Sequence, residues 1–238
     1  MDLFIEGFKE AYYLILQPTA QVWMPVLRTL QVTGAAIAIT ILIGLPIGLY
    51  IGLGKFKGRQ TLLTTINAAM GLPPVVAGFF VSIILWRSGI FGSLGLMYTP
   101  FAMVVAEVII ALPLVIGLTA SAVQSLDKKY KWQIEALGAS KVAMAKKILT
   151  ETRIAVAAAI IAGFGGIISE VGAAMMVGGN IEGQTRVLTT AIVFETRLGR
   201  FENAIALSFI LLVLALAINI ALTRVQQKDG IRWNRSLG

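Results

Sequence analysis

Two carboxylates stand where a hydrophobic chain has least use for charge. Glu107 lies within Pro100–Leu126 and Glu170 within Ile154–Val177, stretches otherwise built, Gln124 apart, of apolar, small and hydroxyl residues. An ionised side chain in hydrocarbon costs about 2.5–3.5 kcal/mol on insertion scales, so each must face the bundle interior, a partner or water. Both are open to two readings, a pathway or gate group and a structural hydrogen bond to a neighbouring helix. The run GLPPVVAGF adds backbone chemistry, because Pro73 and Pro74 remove two amide donors. They make either a packing kink or a broken helix lining a path, and Pro113 repeats the feature. The chain has no cysteine and no histidine. That excludes disulfides, thiol nucleophiles, thiolate or imidazole metal sites, and catalysis of the Ser-His-Asp or Cys-His type.

These groups need elements to hold them, and composition says which. Of the 238 residues, 57% are hydrophobic and 13% charged, with a mean hydropathy of +0.84. Five segments reach the roughly 20 apolar residues that a membrane helix needs: Thr33–Leu53, Leu62–Trp86, Pro100–Leu126, Ile154–Val177 and Ala204–Thr223. No two-residue period suggests a barrel. The expectation is an all-α, polytopic membrane protein, residues 1–238 forming one transmembrane domain. Residues 3–17 read as an amphipathic helix at the outer interface anchored by Tyr12 and Tyr13, or as a short re-entrant or loosely packed helix. Pro18 and Pro25 are expected to break the path into the first span. The stretch VLTTAIVF is too short to cross and suits a re-entrant half-helix or an outer cap. The many small residues of the fourth segment suit close helix packing.

The net charge of +8 is topological rather than a sign of nucleic acid. Fourteen of the 20 basic residues fall in the loops 54–61 and 127–153 and in the tail after residue 223. By the positive-inside rule that side is cytoplasmic, which puts the N-terminus outside and the C-terminus in the cytoplasm of a cell (inner) membrane protein. The tail itself needs no more than anionic membrane lipid as a partner.

The longest basic loop, 127–153, contains KWQIEALGASKVAMAKKIL. Read as helix, Ile134, Leu137, Met144 and Ile148 fall on one side and Lys146 and Lys147 off it. Gly138 interrupts, Ser140 can cap a second short helix, and Lys146 and Lys147 then occupy its last turn. Two short helices with a knuckle at Leu137-Gly138-Ala139-Ser140 result. A lipid-attracting interfacial pair has the same spacing.

The loop resembles the cytoplasmic coupling loop of ATP-binding-cassette importer permeases, whose pattern runs Glu-Ala-Ala, three residues, Gly, nine residues, Ile-x-Leu-Pro. Gly138 and Ile148 keep the spacing, whereas Trp132, Gln133 and Ile134 replace the Glu-Ala-Ala and Thr150-Glu151 the Leu-Pro. Farther on, SEVGAAMMVGGNIEGQTRVLTTAI is similar to a stretch of molybdate and sulfate importer permeases, and its GGNIxGxTRVLTTAI form to tungstate-type ones. Glu170, Gly172, Asn180 and Thr185 are among the matching positions. Val171 and Glu182 depart from the pattern. The likeness covers roughly residues 30–223 in consistent order.

That resemblance implies half of a homodimeric permease working with two ATP-binding subunits and an extracytoplasmic oxyanion-binding protein. It implies that the coupling contact is made by Glu135, Ala136, Leu137, Gly138, Ala139 and Ser140. The translocation path or gate would involve Pro73, Pro74, Glu170, Gly172, Asn180, Thr185 and Arg186. Cofactors, ATP with Mg, would belong to the partner ATPase and none to this chain, which lacks a G-x-x-x-x-G-K-[ST] run. Neutral donors such as Thr64, Thr65, Asn67, Ser82 and Thr119 suit an anion path that must not trap its ion. Arg186 either attracts the anion or the binding protein, or forms a rim salt bridge with Glu182 or Glu195. The rival class is a secondary transporter or channel using Glu107 and Glu170; a scaffold without transport is a third reading. Tungstate, molybdate and sulfate remain undivided by sequence.

Overall fold

The structure is a computed structural model that describes residues 20–235 together with Gly7, Lys9, Tyr12 and Tyr13. The expected amphipathic helix over 3–17 therefore lies largely outside the described residues. All regular structure among the described residues is helical. The order is α1 Ala20–Leu53, α2 Arg59–Ala69, α3 Pro74–Leu85, α4 Pro100–Gln124, α5 Lys128–Ala136, α6 Lys141–Glu151, α7 Arg153–Ile168, α8 Gly172–Gly178, α9 Leu188–Arg197 and α10 Phe201–Arg235. A 3-10 turn, Gly92–Leu94, precedes α4. Among the described residues, three helices are long and apolar enough to cross a membrane, over Val22–Leu53, Pro100–Gln124 and Phe201–Gln227. Two further pairs, α2 with α3 and α6 with α7, are bent by 101° and 74° and qualify as broken spans or re-entrant loops.

The breaks fall where backbone donors are missing or side chains compete for the backbone. Pro73 caps α3 in extended geometry (φ −60°, ψ 125°) and Pro74 takes its first position, where a missing N–H costs nothing. The second segment is thus two helices, not one kinked helix. Pro113, by contrast, stays inside α4, which remains one helix. Pro25 also stays inside a helix: α1 runs from Ala20 through it. The expectation that Pro25 breaks the path is corrected, since membrane helices tolerate one lost donor when neighbouring groups replace it. The fourth segment is corrected in the other direction. α7 ends at Ile168 after 16 residues, about 24 Å of helix against the roughly 30 Å of the hydrocarbon core.

The chain forms two compact units. One comprises Met1–Ala36, Leu72–Ile110 and Gly165–Ile218. Its core gathers Val81 and Leu85 of α3, Ala102, Met103 and Ala106 of α4, and Ala173, Ala174 and Val177 of α8. A second cluster joins Val22 and Val26 of α1 to Leu188 and Ala191 of α9 and Leu207 of α10. The other unit comprises Ile37–Gly71, Ala111–Phe164 and Asn219–Gly238. There Gly48 and Gly52 of α1 meet α4 so closely that an added Cβ would sit 2.7 Å from Thr119 Cβ and 2.6 Å from Val123 Cβ. Four-residue glycine spacing lets two membrane helices approach in this way. Val123 at the end of α4, Ile134 of α5 and Ile148 of α6 form a small core that seats the two short basic helices.

Candidate functional site

The basic loop folds as two short helices with a turn between them. Asp127 caps α5, its carboxylate accepting the Lys129 amide at 2.8 Å. Gly138 turns the chain at φ +71°, a left-handed value that glycine adopts without a Cβ penalty. Ser140 then caps α6, its hydroxyl oxygen accepting the Ala143 amide at 3.3 Å. Every residue from Glu135 to Ser140 is exposed, Leu137 by 86%. Two details differ from the spacing argument. Leu137 does not join Ile134, Met144 and Ile148 on the packed side, because α5 ends at Ala136 and Leu137 serves as its C-cap. Lys146 and Lys147 do not lie in the last turn of α6, which runs on to Glu151. That longer helix lets the Tyr130 hydroxyl reach the Glu151 carboxylate, at 3.4 Å, and tie α5 to α6. Burial, with Glu151 beside it, pushes the Tyr130 phenol above its ordinary range.

In the unit built on α3, α8 and α9, two sequence motifs meet. A Cβ on Gly78 would stand 2.6 Å from Ala173 Cα, and one on Gly172 would collide with Val75. The Ser82 hydroxyl donates to Gly78 of its own helix (2.8 Å) and lies 3.2 Å from the Met176 carbonyl of α8. GLPPVVAGF is therefore packed against GAAMMVGG through missing side chains.

Glu170 sits between α7 and α8, not on a continuous helix as expected. The unpaired backbone groups of that break are taken up by side chains, as burial in an apolar phase demands. The Glu170 carboxylate accepts the Ala173 amide (3.0 Å) at the start of α8. The Ser169 hydroxyl donates to the Gly165 carbonyl (3.0 Å) at the end of α7. Thr189 of α9 donates to the Glu170 carbonyl (2.9 Å). Glu107, on α4, is buried, and one of its carboxylate oxygens has no partner among the described residues.

The connection from α8 to α9 is self-bonded. Gly179 and Asn180 both turn at positive φ, +68° and +53°. The buried Thr185 hydroxyl donates to the Gly178 carbonyl (2.5 Å) and accepts the Ile181 amide (3.0 Å). Arg186 is held by Asn180 Oδ1 (3.2 Å), by an ion pair with Glu182 (3.2 Å) and by the Phe194 ring 4.3 Å beneath its guanidinium. Glu195 pairs instead with Arg200 at 3.8 Å. The α9 N-terminus receives Thr190 and, across 159 residues, Thr29, whose hydroxyl accepts the Leu188 amide at 2.9 Å. Sequence reasoning missed Thr29, since nothing local marks a hydroxyl that caps a distant helix. Of the neutral donors, Thr64 and Thr65 bond carbonyls four residues back, while the Thr119 hydroxyl is buried without a partner.

With this geometry in hand, known proteins give the chain a place. The family described as binding-protein-dependent transport system inner membrane component matches residues 44–228. The chain belongs to this family. Within it, the chain is 38% identical over 212 residues to a probable anion ABC transporter permease protein of Haloferax volcanii, covering 87% of this chain and 91% of that one. It is 33% identical to the tungstate uptake system permease protein TupB of Peptoclostridium acidaminophilum, covering 96% of this chain and 100% of the other. The inward-facing MetNI methionine ABC transporter superposes at a TM-score of 0.71 with 19% identity, over 88% of this chain and 96% of that one; at that identity the match speaks for the permease fold alone.

Proposed function

We propose that this permease is the membrane subunit of an ATP-driven importer for a tungstate-class oxyanion. One observation carries the reading: similarity over nearly the whole chain to an anion permease and a tungstate permease. The working unit is a homodimer with two ATP-binding subunits on the cytoplasmic side and an oxyanion-binding protein outside. ATP and Mg act in the partner subunits. The N-terminus lies outside and the C-terminus in the cytoplasm, a topology supported by the excess of basic residues in loops 54–61 and 127–153 and in the tail.

Coupling runs through Glu135 to Ser140. The exposed turn offers a small shape with a large apolar side chain, Leu137, at its tip, and apolar anchors in pockets dominate such contacts. Closure of the ATPase pair moves α5 and α6 together, because Tyr130–Glu151 and the core around Ile134 and Ile148 bind them to one another. In the other unit, Pro73, Pro74, Glu170, Gly172, Asn180, Thr185 and Arg186 form the framework of the path or gate. Broken helices suit that role, since irregular backbone within a membrane survives only against protein or water.

The test is uptake by vesicles containing the permease, its ATPase and its binding protein. Tungstate uptake that requires ATP, and whose ion preference changes when the binding protein alone is exchanged, is expected. The competing reading, a carboxylate-coupled secondary transporter, draws on Glu107 with its unpartnered oxygen. Uptake that follows the proton gradient and persists without ATP would establish that one instead.

A further inference from the structure

The end of α1, the start of α2 and the helix α5 line a pocket of 430 Å³ that shares Glu135 with the proposed coupling turn but is otherwise unused by the transport steps described above. Its lining carries three cations, Lys55, Arg59 and Lys131, against one carboxylate, Glu135, with Gln124 and Trp132 completing the polar wall. Glu135 offsets one of the three charges at most, which leaves the wall positive by two. Among the described residues, the ion pairs Arg186–Glu182 and Arg200–Glu195 involve none of the three, and Asp127 is occupied in capping α5. Arg59 is fixed rather than free to swing: Nε donates to the Ile51 carbonyl (2.7 Å) and Nη2 reaches that of Gly52 (3.4 Å), the last carbonyls of α1. The remaining edge of its guanidinium is unspent among the described residues.

We propose that this pocket binds a tetrahedral oxyanion group, held by Lys55 and Lys131 as mobile point charges around a stationary Arg59. Like charges gathered at a partly buried site disfavour one another, and a multiply charged anion between them reverses the sign of that interaction. The Lys131 ammonium already feels the strain: burial first, then Arg59 and Lys55, pull it below the ordinary lysine range. Lysine serves phosphate as a point charge and arginine as a fork, and the pocket offers both kinds of donor. The group has two possible sources, a free inorganic ion and the phosphate of an anionic lipid. The volume accommodates either, and Trp132, 60% exposed at the wall, is of the type that settles at headgroup level.

The experiment uses the full-length permease, wild type and the double variant Lys55→Gln/Lys131→Gln, each purified with its ATPase partner. In one arm, inorganic phosphate and tungstate are titrated calorimetrically in neutral detergent. In the other, retention of phosphatidylglycerol against phosphatidylcholine is read by native mass spectrometry. Binding in the first arm that weakens at least tenfold in the double variant identifies a free oxyanion site. The same loss confined to phosphatidylglycerol identifies a lipid site. Arg59→Lys, which keeps the charge and loses the fork, should fall between wild type and double variant in whichever arm binds. Equal affinity in wild type and double variant, or binding in neither arm, overturns the proposal. So does loss of the ATPase subunit from the double variant with anion binding unchanged, which would make the pocket a protein contact.

Discussion

Replacing Thr185 separates the work of a hydroxyl from that of a methyl group. The residue is fully buried, and its hydroxyl donates to the Gly178 carbonyl and accepts the Ile181 amide. Thr185→Val keeps the branched shape and removes both bonds. Gly178 is buried, so its carbonyl loses a partner that water does not replace, at a cost of about 1–3 kcal/mol. Ile181 is 37% exposed, and water can take over its amide, so that second bond adds little. Thr185→Ser keeps both bonds and loses one methyl, worth about 0.8 kcal/mol. The expected order of stability is wild type, then Ser, then Val, with Val about 2 kcal/mol below wild type. Denaturant titration of the purified permease in detergent reads the order, and hydrogen exchange at the Ile181 amide reads the loop directly. A serine variant less stable than the valine variant would refute the reasoning, because packing and not hydrogen bonding would then hold the connection.

Other predictions follow the same contacts. Gly78→Ala forces a Cβ against the Ala173 backbone and should cost about 1–3 kcal/mol; Gly165→Ala, with nothing within 4 Å, should be neutral or slightly stabilising in the same titration. Glu170→Gln retains an acceptor for the Ala173 amide, so stability should hold while ATP-driven uptake falls; unchanged uptake would remove Glu170 from the gate. Ser140→Ala should loosen the first turn of α6 by about 1 kcal/mol, seen as faster exchange at the Ala143 amide. Leu137→Asp should leave stability alone, being at an exposed site, yet abolish co-purification of the ATPase. For Tyr130 the raised phenol pKa fixes the sign: its contribution is complete below the unfolded tyrosine pKa of about 10 and is lost as pH rises through the folded value. Tyr130→Phe should erase that alkaline loss in a pH series of unfolding midpoints.

Hydropathy made the fold class legible because a membrane helix is a long apolar run, and such runs are hard to imitate. It could not separate a continuous helix from two helices in line. A window wide enough to find a membrane span averages away the short polar dip at Ser169-Glu170, and what ends α7 and restarts α8 is side-chain bonding from Ser169, Glu170 and the distant Thr189. Proline by itself does not declare whether it breaks a helix or is carried within one. Pro73-Pro74 starts a helix, whereas Pro25 and Pro113 are absorbed within one. In the basic loop, Gly138 and Ser140 declared the turn because their chemistry is local. Leu137 was misplaced because a helical wheel ignores where the helix stops. Lys55, Arg59 and Lys131 served only as signs of topology in the sequence; their gathering around one pocket depends on three elements folding together.

The exposed turn between α5 and α6 has a consequence for inheritance. Its geometry rests on two positions, the left-handed Gly138 and the capping Ser140, while Glu135, Ala136, Leu137 and Ala139 carry no part of the packing. Those four side chains can therefore drift without endangering the membrane domain. With the proposed coupling role, a duplicated permease would change its ATPase by a handful of surface substitutions, and transplanting residues 135–139 between paralogues should carry partner choice with them.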